Sequence, residues 1–138
     1  MKKSSEQGFS LIELLIVVVI IGIVAALAVP FLQKAVRASE NGNTFASMRT
    51  ISSTQVGFFQ RTGRFGRLTE INSLLGNGLG TPSGNDLVRG KFLFTLEETA
   101  DTQLRDRYTI VATRQVTGEG QVYQYRITQS GVIEQLQP

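Results

Sequence analysis

The sequence predicts an α+β fold: one long N-terminal helix, apolar in its first half and amphipathic in its second, packed on a small antiparallel sheet of three to four strands. Three observations carry this expectation. Of the 22 residues from Leu11 to Leu32, 19 are apolar. A one-sided apolar pattern follows, as far as about Gln60. The last third of the chain alternates apolar and polar residues in short runs broken by glycine. The mean hydropathy of +0.02 averages these unlike parts and describes none of them.

Composition narrows the function before any motif is read. The 138 residues contain no cysteine and no histidine, which excludes thiol chemistry, disulfides, zinc sites built on those ligands and any catalytic group based on imidazole. An enzyme is therefore not expected, and no cofactor is implied. The net charge of +3 is too small and dispersed to point to nucleic acid by itself.

The first element is the apolar helix. No charge occurs between Glu13 and Lys34. Those 20 residues, at ~1.5 Å per residue, span about 30 Å, the thickness of a bilayer's hydrocarbon core. Lys2 and Lys3 precede the span, so the positive-inside tendency holds the N-terminus in the cytoplasm and sends the rest across. Two processing schemes fit. One is an ordinary secretory signal with Ala26-Leu27-Ala28 as its small-residue cleavage site, releasing a protein that begins at Val29. Against it stands Glu13, since a carboxylate within an apolar helix costs ~2.5 kcal/mol or more at mid-membrane, and a disposable signal has no use for one.

The residues around that carboxylate, Gly8-Phe9-Ser10-Leu11-Ile12-Glu13-Leu14-Leu15, resemble the N-terminus of a type IV prepilin. The resemblance covers about thirty residues: a short basic leader ending in glycine, phenylalanine, a small hydroxyl residue, Leu-Ile-Glu, then an unbroken apolar run. It implies a cleaved leader at residues 1–8, cut between Gly8 and Phe9 by a prepilin peptidase that also methylates the Phe9 amine. Residues 9–33 then form the transmembrane and assembly helix, and residues 34–138 a globular head. Glycine before the cut lets an extended backbone enter a protease site with little steric cost. Glu13 makes physical sense if the new amine of a neighbouring, staggered subunit pairs with it, so that a lone charge in an apolar setting is neutralised only on assembly; the resemblance implies the same role. A glutamate merely snorkelling to the interface is the simpler alternative. Gly22 and Pro30 are weak points in the helix, costing ~1 and ~3 kcal/mol relative to alanine, and the family's filaments are similar in having a partly melted helix there.

Within the head, Phe45, Met48, Ile51, Val56, Phe58 and Phe59 define one helical face, opposite Asn43, Ser47, Thr50, Ser53 and Thr54. The helix is expected over residues 34–60, with Gly42 its weakest position. Residues 61–90 read as a glycine-rich connecting loop, with one or two helical turns from Thr69 to Leu75 capped by Thr69 and ended by Gly76-Asn77-Gly78. Its Arg61, Arg64, Arg67 and Arg89, with Phe65 among them, are candidates for a patch that touches DNA or another polyanion, against the plainer reading of solvated or locally paired arginines.

Residues 91–138 read as sheet. Phe92, Phe94 and Leu96; Tyr108, Ile110 and Ala112; and Tyr123, Tyr125 and Ile127 each alternate with partners facing the other way. Gly118-Glu119-Gly120 suits a hairpin, and Ser130-Gly131 a turn into a last strand from Val132 to Leu136. Helix on sheet makes a two-layer domain, and the resemblance implies a ladle shape. The family usually staples this region with a disulfide, which the chain lacks; some relatives bind calcium instead. Asp86, Glu97, Glu98, Asp101 and Asp106 are the available oxygens, but without a calcium-loop spacing, so no metal site is expected.

The function that follows is a filament subunit of a type IV pilus, whose partners are its own copies, the peptidase, membrane lipid before assembly and an inner-membrane assembly platform. It resides in the cytoplasmic (inner) membrane, single-pass with the C-terminal domain outside, before joining an extracellular fibre. Two alternatives are a pseudopilin of a type II secretion or DNA-uptake system, in a periplasmic pseudopilus, and a membrane-tethered binding module that uses the Arg61–Arg89 loop.

Overall fold

The computed structural model describes residues 8–115 and 123–137; Lys2, Lys3, the Gly118-Glu119-Gly120 hairpin and Val122 lie outside them. Helix α1 runs Leu11–Thr62, and the chain divides between Ser39 and Glu40 into two compact units, each taken by itself.

In the first unit α1 is helical through Gly22 and Pro30. Its aliphatic residues from Leu11 to Val36 are exposed on every side, and the helix is long and apolar enough to cross a membrane. A helix apolar all round has no water-facing side and needs lipid or other helices about it.

In the second unit α1 continues from Glu40 and is followed by α2 (Leu68–Leu74) and six strands: β1 (Thr81–Ser83), β2 (Asp86–Arg89), β3 (Phe92–Leu96), β4 (Thr109–Arg114), β5 (Gln124–Thr128) and β6 (Ile133–Gln137), with a 3-10 turn at Gln103–Arg105 before β4. The strands form one antiparallel sheet in chain order. The fold is α+β as expected, but with six strands rather than three to four. The additional pair, β1 and β2, is three and four residues long and sits among glycines, so alternation had no length over which to show. Pro82 in β1 has no N–H to donate, which suits an edge strand, and Gly84 at φ 65° turns the hairpin.

Met48 and Ile51 of α1 join Leu68 and Ile71 of α2 and Leu87, Phe92, Phe94, Ile110, Tyr125 and Ile127 of the sheet in one core. Phe45 meets the Tyr125 ring edge-on at 4.7 Å, and the buried Tyr108 hydroxyl bonds Ser52 Oγ at 3.0 Å. Burial raises the Tyr108 phenol above its ordinary range. The inward-facing residues of β3 and β4 are those the alternation indicated.

The helix face is rotated from the expected one. Thr44, Ser47, Met48, Ile51 and Gln55 are its buried residues, whereas Val56 is 52% exposed and Phe59 lies at the rim. Polar residues can occupy this face because they are satisfied: Ser47 donates to the Asn43 carbonyl and Gln55 bonds the backbone of Gly66. Thr69 is not the cap of α2. The helix begins one residue earlier, where the Glu70 carboxylate accepts the Arg67 N–H at 2.8 Å, and Gly76 and Asn77, both at positive φ, end it.

Candidate functional site

The candidate processing and assembly residues lie at the start of the first unit. Gly8 and Phe9 precede the helix and are exposed, Phe9 to 86%. Helix α1 opens with a reciprocal cap: the Ser10 N–H donates to Glu13 Oε2 at 2.9 Å, while Ser10 Oγ accepts the Ile12 N–H at a long 3.4 Å. Ser-x-x-Glu is a helix-start signature, and it stands in the sequence at Ser10-Leu11-Ile12-Glu13. The same residues also form part of the longer Gly8–Leu15 motif, which masks the cap signature. In the single chain, then, Glu13 has a backbone partner and lies against the positive end of its own helix.

Gly22 and Pro30 sit within the exposed apolar stretch. An added Cβ at Gly22 would meet nothing within 4 Å, so that glycine is not required by packing inside the chain.

The four loop arginines are not gathered into one free cationic surface. Arg64 makes a two-pronged pair with Glu70, at 2.9 and 2.7 Å, and lies over the Phe58 ring at 5.3 Å. That hydrogen-bonded pairing with Arg64 holds the Glu70 carboxyl below the usual range. Arg67 reaches Asp101 at 2.8 Å and the Thr99 carbonyl at 3.1 Å. Arg61 bonds the Gly57 carbonyl of its own helix, and Arg89 donates to the carbonyls of Gly78 and Leu79. Of the carboxylates weighed as cation ligands, Asp101 is taken by Arg67 and Glu98 accepts Thr109 N–H at 2.6 Å and its hydroxyl at 3.0 Å. Among the described residues no group of three or more acidic side chains is placed to hold a metal ion.

A feature that sequence reasoning missed lies in the second unit. Arg114 at the end of β4, with a side chain 1% exposed, meets Glu40 at 2.6 Å, and Lys91 reaches the same carboxylate at 3.3 Å. Arg114 also lies over the Tyr123 ring. No short motif links residues 40, 91 and 114, so no local signal announced the cluster.

Residues 3–29 match the family described as the prokaryotic N-terminal methylation motif. Over 60 residues the chain is 39% identical to the type IV major pilin protein PilA of Myxococcus xanthus (strain DK1622). That stretch is 44% of this chain and 27% of the relative, so the chain spans about a quarter of the length of the curated relative it matches. Residues 3–29, with Gly8-Phe9 outside the helix, Glu13 in its first turn and the apolar run behind it, thus carry the N-terminal methylation motif, and over part of its length the chain is similar to a type IV pilin.

Proposed function

We propose that the chain is a structural subunit of a type IV pilus filament, cut between Gly8 and Phe9, methylated at Phe9 and polymerised through the helix of residues 9–33. The observation that carries this reading is the first unit's helix, whose apolar side chains are exposed on all sides directly behind a non-helical Gly8-Phe9 bond. Non-helical backbone suits a protease, which takes its substrate extended. An all-round apolar helix suits lipid first and a bundle of identical helices later. Glu13 then exchanges or shares its Ser10 partner with the amine of an adjoining copy. The leader stays cytoplasmic, and residues 34–138 are carried across the inner membrane as the exposed part of the subunit. Prepilin peptidase and an inner-membrane assembly platform are the implied partners.

The binding-module alternative has less support, since Arg64 and Arg67 are already paired with carboxylates. Coexpression with a prepilin peptidase followed by intact-mass measurement tests the reading. Loss of eight residues and a methylated Phe9 is the expected result, whereas an N-terminus at Val29 would refute it. Glu13→Leu should leave an inserted monomer and no fibres; undiminished fibres would remove the assembly role. Electron microscopy of sheared surface material separates a long pilus from a short periplasmic pseudopilus.

A further inference from the structure

The dipeptide Asn-Gly occurs at Asn41-Gly42 and at Asn77-Gly78, both in the second unit. A glycine in second place has no Cβ to keep its amide nitrogen away from the asparagine side-chain carbonyl. The fold treats the two copies differently. Asn41 and Gly42 lie inside α1, where each N–H is bound to the carbonyl four residues back, and Asn41 Oδ1 is shut off from solvent. Asn77 and Gly78 lie exposed in the connection between α2 and β1.

The surroundings of Asn77 favour attack on its side chain. At φ 61° it is the only non-glycine at positive φ among the described residues, a region that side chains avoid and asparagine enters more readily than most. Its backbone is held, with the N–H donating to the Asn72 carbonyl at 2.8 Å. Its side-chain Oδ1 meets Asn72 Nδ2 at a long 3.4 Å. Asn72 is fully buried and is fixed in turn, since it donates to the Gly80 carbonyl and accepts the Leu79 N–H, each at 3.0 Å. A rigid donor thus stands by the oxygen that gains negative charge when Cγ is attacked. The Gly78 N–H donates to the Leu75 carbonyl at 3.1 Å, a bond at a helix end, where local opening is easiest.

We propose that Asn77 is a site of spontaneous deamidation in the folded protein, converted to aspartate and isoaspartate. The Gly78 nitrogen gives its proton to solvent hydroxide and attacks Asn77 Cγ. An N–C bond forms, the bond to the side-chain nitrogen breaks, ammonia leaves and a succinimide ring remains. Water then opens the ring at one carbonyl or the other, and nothing is oxidised or reduced. Either product places a carboxylate next to the Gly78 carbonyl that Arg89 holds at 2.9 Å, and lowers the net charge by one from +3. The isoaspartyl link also lengthens the main chain by one carbon between the N–H groups of Asn77 and Leu79, both tied to Asn72. The modification is independent of the filament reading, since every residue it uses lies in the second unit.

The test is peptide mapping of the full chain, aged at mildly alkaline pH and physiological temperature, folded in detergent micelles and unfolded in urea. Trypsin places Asn77 in the peptide of residues 68–89 and Asn41 in that of residues 38–49. In the folded chain Asn77 should gain one mass unit and its peptide should split into two chromatographic forms, while Asn41 stays intact. In urea Asn41 should react as readily as Asn77, because the helix no longer holds it. Gly78→Ala should slow the folded-state reaction on the order of tenfold by setting a Cβ beside the attacking nitrogen, and an intact Asn41 in the same sample verifies that this variant is folded. The proposal is overturned if Asn77 of the folded chain stays unmodified, if Asn41 reacts as fast in the folded chain, if urea leaves the ratio of the two sites unchanged, or if folded Gly78→Ala ages as the parent does.

Discussion

Gln55 is a buried amide whose worth can be worked out from its partners. It is fully buried, its Nε2 donates to the Gly66 carbonyl at 2.8 Å, and its Oε1 accepts the Gly66 N–H at 2.7 Å. The pair pins the chain leaving α1 to the middle of the helix's inner face. Gln55→Met keeps length and volume but orphans both backbone groups; at ~1–3 kcal/mol for each buried unsatisfied group, the loss is roughly 2–6 kcal/mol. Gln55→Ala adds a cavity and should cost more. For a unit of this size each kcal/mol moves the midpoint by about 4–8 °C, so Gln55→Met should lower Tm by roughly 8 °C or more. The chain has no tryptophan, and Tyr108 and Tyr125 are both buried. Thermal unfolding of the full chain in micelles can therefore be followed by tyrosine fluorescence, which reports on the second unit and ignores the apolar helix. A Gln55→Met variant within ~0.5 kcal/mol of the parent, the scatter of ordinary surface changes, would refute the reasoning.

Other outcomes follow from the same geometry. Gly80→Ala should destabilise by more than ~2 kcal/mol, because its Cβ would stand 2.6 Å from the Val88 carbonyl oxygen, a backbone atom that cannot swing aside; Gly42→Ala, helical and with open space around it, should instead stabilise by ~0.5–1 kcal/mol, and the same melts read both. Glu70 has a folded pKa held below its ordinary 4.5 by Arg64, so its contribution is complete above that value and is lost as the pH falls through the lowered folded pKa. Since the pair is about one-third exposed, that contribution is ~1 kcal/mol or less, and parent and Glu70→Gln stabilities should differ at pH 7 and converge at low pH. In a filter assay at about 0.15 M salt, where exposed charges act over only ~8 Å, the parent should retain duplex DNA no better than a variant with Arg61, Arg64 and Arg67 changed to Gln. Clear, salt-sensitive retention lost in that variant would revive the polyanion patch.

The parts of the molecule legible in its sequence were those spelled contiguously. The N-terminal methylation motif, matched over residues 3–29, is one such run, with Gly8, Phe9 and Glu13 within six residues of one another and the apolar stretch behind them. The inner faces of β3 and β4 could be read because five or six residues are enough for alternation to show. The hairpin of β1 and β2 could not, since its strands are shorter than the signal. The helix face was misjudged by a small rotation, for a physical reason: apolarity alone does not reveal that Gln55 finds both its partners in Gly66, or that Ser47 bonds its own helix. Val56 and Phe59 were consequently assigned inward and are found at the surface. The Glu40, Lys91 and Arg114 cluster was invisible for a different reason, since it depends on β3 and β4 returning to the helix some fifty and seventy residues later.

The chain-order sheet has a consequence for how the molecule is made. Each strand pairs only with those immediately before and after it, so the contacts of the sheet are local in sequence and the loops that must close are short. A chain that appears from its N-terminal end, whether from a ribosome or from a translocation channel, always has the pairing partner of each new strand already in place. Within the sheet itself no strand waits on a distant one, and the edge left open moves outward one strand at a time, with Pro82 closing the other side from the start. Such vectorial growth limits the lifetime of unpaired strand edges, an advantage for a chain whose apolar helix would turn any delay into aggregation.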